Sequence, residues 1–275
     1  MSLSFCSFSS GSSGNCYLIK TGAAAVLIDA GISASRILKA LERTDTPRES
    51  VQALFLTHEH YDHVTGARVL LKRLGNASVY ASPGTLEGTI RRDAYHRLSF
   101  AAEIDAKRRV TIAPDEEVVI GDMAIRAFRT LHDANEPYGY FIKTGGKSVA
   151  LLTDTGIVTE EIIEIVATAD VLVLESNHDT DMLRLGHYPH YLKKRILSDH
   201  GHLSNNQAAD TLLRLFSHLD KKRFVLLAHL SHENNTPKIA EQTVLTTLAG
   251  GGLYTGPDFY MGVLLRDEQS LLYEL

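Results

Sequence analysis

Apolar residues run along this chain in short unbroken blocks, set between segments of helical spacing. Residues 3–8 and 15–20 read as strands joined by SSGSSG, and AAAVLIDAG (23–31) is a strand that carries Asp29 near its end. VQALFLTH (51–58) is another, ending in His58. Blocks with so little polar alternation suit strands buried on both faces. Between the last two, SASRILKALER begins with Ser33 as a candidate N-cap and places Ile37, Leu38 and Leu41 on one helical face. DHVTGARVLLKRLG (62–75) spaces Ala67, Leu70, Leu71 and Leu74 as a helix that Gly75 can stop. A mixed stretch follows. Strands are then predicted near 117–120, 123–129, 138–144, 148–153, 170–175 and 223–228, helices near 188–198, 205–219 and 236–248, and strands again toward the C-terminus. Strands followed by helices in both halves predict an α/β fold: an αββα sandwich of two packed mixed sheets with helices on the outer faces. Periodicity alone also admits one doubly wound sheet. With no internal repeat or long linker, residues 1–275 are expected to form a single domain.

Composition narrows the class. With 44% hydrophobic and 22% charged residues the chain is an ordinary globular sequence. No apolar run reaches the roughly 18 residues of a membrane span. The start MSLSFCSFSSGSSGN lacks the basic residues and apolar stretch of a signal peptide, so a cytoplasmic protein with no membrane partner is expected. Cys6 and Cys16 are too few for a disulfide framework and are expected as buried free thiols. A net charge of −5 provides no overall attraction for nucleic acid.

The candidate chemistry begins in LTHEHYDH (56–63), where His58, His60, Asp62 and His63 fall close together. In extended chain, side chains two apart point the same way, so His58 and His60 can meet one ion. On a helix they would diverge by about 200°. Asp62 taken alone is a candidate N-cap. Beside His63 it makes a second pair, and two separate pairs suggest two metals. His132, Asp154 and His229 are the first candidate ligands beyond the blocks MAIRAFRTL, SVALLT and RFVLLA. Each is weak singly, but their loops would converge on one sheet edge.

Asp29, the H-x-H-x-D-H cluster, His132, Asp154 and His229 resemble the ordered motifs of the metallo-β-lactamase-fold hydrolases over essentially the whole chain. Within them, SSGSSGNCYL, LESNHD, GHLSN and HLSHENN resemble the YycJ/WalJ group of nuclease-like proteins, relatives of ribonuclease Z and the β-CASP nucleases. The resemblance implies that His58, His60 and His132 hold one metal and Asp62, His63 and His229 the other, with Asp154 bridging. Asp29 would orient the cluster from outside the ligand set. His232, three residues past His229, is expected in a solvated loop. Histidine-rich ligation without thiols suits Zn2+, and the carboxylates also admit Mn2+ or Fe.

The bridging Asp154 separates this chain from true β-lactamases, and a bridge that draws ions to roughly 3.5–4 Å suits phosphoryl transfer. Residues 181–223 hold eight Lys and Arg against four acids, a basic region in an acidic chain. His202 in GHLS precedes a helix, where a phosphate oxygen is well placed. By the resemblance His202 contacts the scissile phosphate and protonates the leaving oxygen, and Glu175 orients a histidine. With Asp62 and Asp154 they form the expected catalytic set. His178 receives no assignment. SSGSSGN is either a tight turn or a loop of N–H groups near phosphate. The stretch between Asp154 and His229 is too short for a β-CASP insertion. The expected function is a dinuclear metal-dependent phosphodiesterase, an exonuclease-like nuclease on DNA or RNA that uses a metal-bridged hydroxide, with nucleic acid as substrate. The alternative, favoured by the acidic net charge, is a small-molecule metallohydrolase acting on a thioester, lactone or cyclic phosphodiester.

Overall fold

The structure, a computed structural model, describes residues 2–90, 104–217 and 222–275. From the N-terminus come β1 (Ser4–Ser9), β2 (Cys16–Lys20), β3 (Ala25–Ile28), α1 (Ala34–Arg43) and β4 (Val51–Phe55). Then follow α2 (Tyr61–Val64), α3 (Ala67–Arg73), β5 (Ser78–Ala81), α4 (Pro83–Ile90) and β6 (Arg109–Thr111). The second half runs through β7 (Glu117–Ile120), β8 (Met123–Arg129), β9 (Tyr138–Thr144), β10 (Lys147–Leu152), α5 (Glu160–Val166) and β11 (Val171–Glu175). It continues with α6 (Thr180–Leu185), α7 (His190–Ile196), α8 (Asn205–Ser217), β12 (Phe224–Ala228), α9 (Pro237–Gly250), β13 (Tyr260–Val263) and β14 (Tyr273–Glu274).

Two mixed sheets of seven strands result, ordered β14-β1-β2-β3-β4-β5-β6 and β13-β12-β11-β10-β9-β8-β7. Alternation along each apolar block explains the layers. Val26, Ile28, Val171 and Val173 point between the sheets and share one core with Phe5, Phe55, Tyr140 and Leu226. Leu27 and Leu54 point outward against Ile37 and Leu41 of α1 and Leu70 of α3. Leu172, Leu174 and Val225 point outward against Ile162 of α5, Leu212 of α8 and Val244 of α9. Both faces of each central strand are therefore covered by apolar groups. The expected αββα sandwich is the fold observed, and the doubly wound alternative is excluded by the two separate sheets. Cys6 and Cys16 are buried and free. No helix among the described residues is long and apolar enough to cross a membrane.

Several boundaries differ from the sequence pattern for local reasons. The block 23–31 leaves the ladder at Ile28 because Asp29 adopts φ 60°. The helix expected over 62–75 is two helices, since the Gly66 N–H turns away to the Ala30 carbonyl at 2.7 Å. A Cβ on Gly66 would stand 2.0 Å from the Ile32 carbonyl oxygen, which shows how closely the two segments pass. His60 occupies the N-cap position of α2, so Asp62 lies in its first turn and is not the cap. The mixed stretch conceals β5, α4 and β6, and α5 and α6 also escaped the pattern. The helix expected over 205–219 is described as far as Ser217, and the remainder of that expectation lies outside the described residues.

Asn15, Gly31 and Asp62 are knitted through their backbones. The Asn15 N–H donates to the Asp62 carbonyl at 2.8 Å, and the Gly31 N–H to the Asn15 carbonyl at 2.7 Å. A Cβ on Gly31 would lie 1.6 Å from the Asp62 carbonyl oxygen. Gly31→Ala is therefore expected to push Asp62 out of place, destabilising the fold by about 2–4 kcal/mol. A thermal melt of the variant, read with a zinc titration, checks this: both stability and zinc affinity should fall.

Candidate metal centre

The site lies where the parallel strands β3, β4, β10, β11 and β12 deliver their carboxyl ends, the edge at which open α/β sheets collect functional groups. Asp29, Asp154 and His229 each follow one of these strands and adopt left-handed backbone conformations, with φ of 60°, 56° and 57°. Such conformations cost on the order of 1–3 kcal/mol each and persist where the surroundings fix them. Here they coincide with three of the residues singled out from sequence. His58 and His60 sit on an irregular link between β4 and α2, with ring centroids 4.5 Å apart.

Hydrogen bonds fix the imidazoles. His63 donates from Nδ1 to Asp29 Oδ2 at 2.7 Å, and the Thr57 hydroxyl donates to the same oxygen at 2.9 Å. That hydroxyl accepts from His58 Nδ1 at 3.0 Å. His132 Nδ1 donates to the Gly201 carbonyl at 2.9 Å, and His229 Nδ1 to Glu175 Oε1 at 2.9 Å. Four imidazoles thus engage Nδ1 with an acceptor and turn Nε2 inward, the tautomer a metal-ligating histidine requires. His60 presents Nδ1 instead, 3.3 Å from His132 Nε2.

Among the described residues, four groups of donor atoms converge within 4.8 Å: His58, His60 and His132; Asp62, His63 and His229; His58, His63 and Asp154; and Asp154, Glu175, His202 and His229. The first two are the sets expected from sequence. Asp154 faces both: its Oδ2 lies 3.4 Å from His63 Nε2, and its Oδ1 lies 3.5 Å from His229 Nε2 and 3.9 Å from His132 Nε2. His58 Nε2 and Asp154 Oδ2 are buried and make no hydrogen bond. Buried polar atoms normally have partners, so orphaned atoms turned toward each other's neighbours fit a divalent cation.

Charge divides the two sets. Burial, with the neighbouring His63 and His60, holds His58 well below the ordinary histidine range, and burial pulls His132 down to about 4. At the other set burial is outweighed. Asp154, assisted by Asp62 and Glu175, pushes His229 up to about 10, and Asp154, Asp62 and Asp29 raise His63. Burial would raise Asp62, but His63 and His229 hold it well below the carboxylate range. Near pH 7 the His58–His60–His132 set is neutral and ready for a cation, whereas the other set holds protons that a cation must displace. Zinc affinity of the Asp62–His63–His229 set is therefore expected to rise between about pH 6 and 9, with proton release. The His58–His60–His132 set should stay nearly flat across that range. Calorimetry in buffers of different ionisation heat separates the two.

Glu175 is fully buried and shared. Its Oε1 accepts from His229 and from His202 Nδ1 at 2.8 Å, and its Oε2 accepts from the backbone N–H groups of Thr155 at 3.1 Å and Leu203 at 3.2 Å. It orients two histidines, where the sequence reading gave it one. His202 is 16% exposed in its side chain and lies just before α8, with Nδ1 3.7 Å from Asp154 Oδ1.

Other residues at the site were given no individual role by the sequence. In the loop after β1, the Asn15 side-chain amide lies 3.1 Å from His63 Nε2 while Gly11 fixes its orientation through both amide atoms. The Ser10 hydroxyl accepts from the His229 N–H at 3.0 Å. SSGSSGN is thus a brace for the Asp62–His63–His229 set, more than a hairpin turn. Asp133 Oδ1 lies 3.3 Å from His132 Nε2. His232 is 71% exposed in its side chain and pairs with Glu233, as expected of a solvated loop. His178 is buried, with neither ring nitrogen hydrogen-bonded, and burial lowers it to about 4.

Residues 24–230 match the model of the beta-lactamase superfamily domain. The chain is 36% identical to the exodeoxyribonuclease WalJ of Streptococcus pneumoniae, over 97% of this chain and 96% of that protein. It is 33% identical to the exodeoxyribonuclease YycJ of Bacillus anthracis, over 94% of each. The metallo-beta-lactamase fold protein YhfI from Bacillus subtilis superposes over the full length of both chains with a TM-score of 0.68 at 17% identity, a likeness of fold.

Proposed function

This chain belongs to the beta-lactamase superfamily, and within it we propose a dinuclear metal-dependent phosphodiesterase that acts as an exonuclease on DNA. The reading is carried by the likeness to two exodeoxyribonucleases along nearly the whole chain. His58, His60 and His132 would hold one divalent ion, Asp62, His63 and His229 the second, and Asp154 both; Zn2+ suits the donors, with Mn2+ or Fe as alternatives. The ions, when bound, supply Lewis-acid activation of a water and neutralise phosphate charge.

The chain's own groups do the rest. Asp29, through Thr57 and directly, keeps His58 and His63 in the tautomer that frees Nε2. Glu175 does the same for His229 and holds the Nδ1 proton of His202. His202 Nε2, which makes no hydrogen bond among the described residues, would carry the proton that leaves with the departing oxygen. The small-molecule alternative is tested by loading the protein with Zn2+ or Mn2+. Labelled single- and double-stranded DNA, RNA, a lactone and a thioester are then offered in parallel. Release of nucleotides from DNA supports the reading. Turnover of lactone or thioester without any polynucleotide cleavage overturns it.

A further inference from the structure

The basic segment 181–223 is mostly engaged within the fold. Lys193 Nζ donates to the Arg184 and Gly186 carbonyls, both at 2.7 Å. Arg214 pairs with Glu160, and Arg223 is buried beside Phe216. Asp220 and Lys221, counted in that segment, lie outside the described residues. What the segment presents at the site is α7. Tyr191, Lys194 and Arg195, three and four residues apart, share one face of this helix. All three are exposed, Tyr191 by 75%.

Arg195 reaches from this face to the metal centre. Its Nη2 donates to Asp133 Oδ1 at 3.0 Å and its Nε to Asp133 Oδ2, a two-pronged pair. Asp133 Oδ1 is the atom 3.3 Å from His132 Nε2. A half-exposed ion pair adds little stability, but this one stations a guanidinium beside the candidate metal ligands. Carboxylate and phosphate offer guanidinium the same pair of oxygens. We propose that Arg195 takes a backbone phosphate of a single-stranded polynucleotide, with Asp133 holding the guanidinium until the strand arrives. Tyr191 stacks a neighbouring base and Lys194 meets a further phosphate. Stacking on an exposed tyrosine requires an unpaired base, and exposed Lys194 together with Arg195, once it exchanges Asp133 for a phosphate, provides local complementarity in a chain of net charge −5. The inference rests on the polynucleotide reading above and names its strand-binding surface.

The test is fluorescence anisotropy of the zinc-loaded full chain with a short labelled single-stranded oligodeoxynucleotide whose phosphorothioate linkages resist cleavage, at several salt concentrations. Arg195→Ala is expected to weaken binding about tenfold and lower the log–log salt slope by about one. Arg195→Lys should retain that slope. Tyr191→Ala should weaken binding by about fivefold or more with the slope unchanged. Asp133→Asn should tighten binding only while Arg195 is present, so the double variant binds like Arg195→Ala. Unchanged affinity and slope in Arg195→Ala overturn the proposal. So does an Asp133→Asn gain that is equal in both backgrounds, because Asp133 then acts by repulsion alone. Cleavage of unmodified DNA is followed in parallel. Wild-type cleavage with unaltered Arg195→Ala binding ends this proposal only, whereas wild type that neither binds nor cleaves DNA ends both readings.

Discussion

Asp154→Ala is expected to lower metal-dependent cleavage of DNA by about ten-thousand-fold and to reduce bound metal below two equivalents. Asp154 is 2% exposed, and its two oxygens face histidines of both donor sets. Asp62, the carboxylate within the Asp62–His63–His229 set, pairs with His63 and His229 of its own set. Loss of the charge also removes the strongest of the groups that raise His229, so its proton is released at lower pH. Asp154→Asn separates charge from shape. Asparagine tolerates the left-handed backbone that residue 154 adopts, so the fold should survive while metal binding and turnover fall nearly as far. Metal analysis and single-turnover kinetics on both variants check the expectation. An Asn variant with two equivalents and normal turnover would count against a bridging role.

Glu175→Gln should reduce kcat on the order of 100- to 1,000-fold with a smaller effect on KM. The wild-type carboxylate accepts four hydrogen bonds, two from histidines and two from backbone N–H groups. A glutamine must turn its NH2 toward one of those donor pairs, because an amide has a single acceptor oxygen. With the NH2 toward Oε1's partners both histidines lose their acceptor, and with it toward Oε2's partners the Thr155 and Leu203 N–H groups repel the amide and shift it from the histidines. Burial would raise Glu175, yet His202 and His229 hold it well below the carboxylate range. A folded-state value below the unfolded one contributes stability above the unfolded carboxylate value, and that stability is lost as pH falls through the folded value. The variant should therefore lose stability at neutral pH and show a weaker acid-side dependence.

Much of this site was legible because its residues sit at the ends of apolar blocks. Asp29, His132, Asp154 and His229 could be read from where hydrophobic runs stop, and H-x-H-x-D-H from its own density. The supporting groups could not. Ser10, Asn15 and Thr57 act through contacts with partners set by the packed sandwich, and each is an unremarkable polar residue in its own segment. The split between α2 and α3 was hidden for the same reason, since it depends on Gly66 passing close to Ala30 and Ile32. Charge counting misled in the opposite direction. Among the described cations of residues 181–223, Lys193 serves carbonyls, Arg214 an acid and Arg223 the core, and α7 presents Lys194 and Arg195 at the site.

The most direct measurement is nucleotide release from end-labelled DNA against zinc or manganese equivalents bound, made on the same samples of wild type and Asp154→Asn. Wild-type release is expected to rise with the second equivalent and to be nearly absent at one, and the variant to stay inactive throughout. Full DNA cleavage at one equivalent, or at two with none, would contradict it.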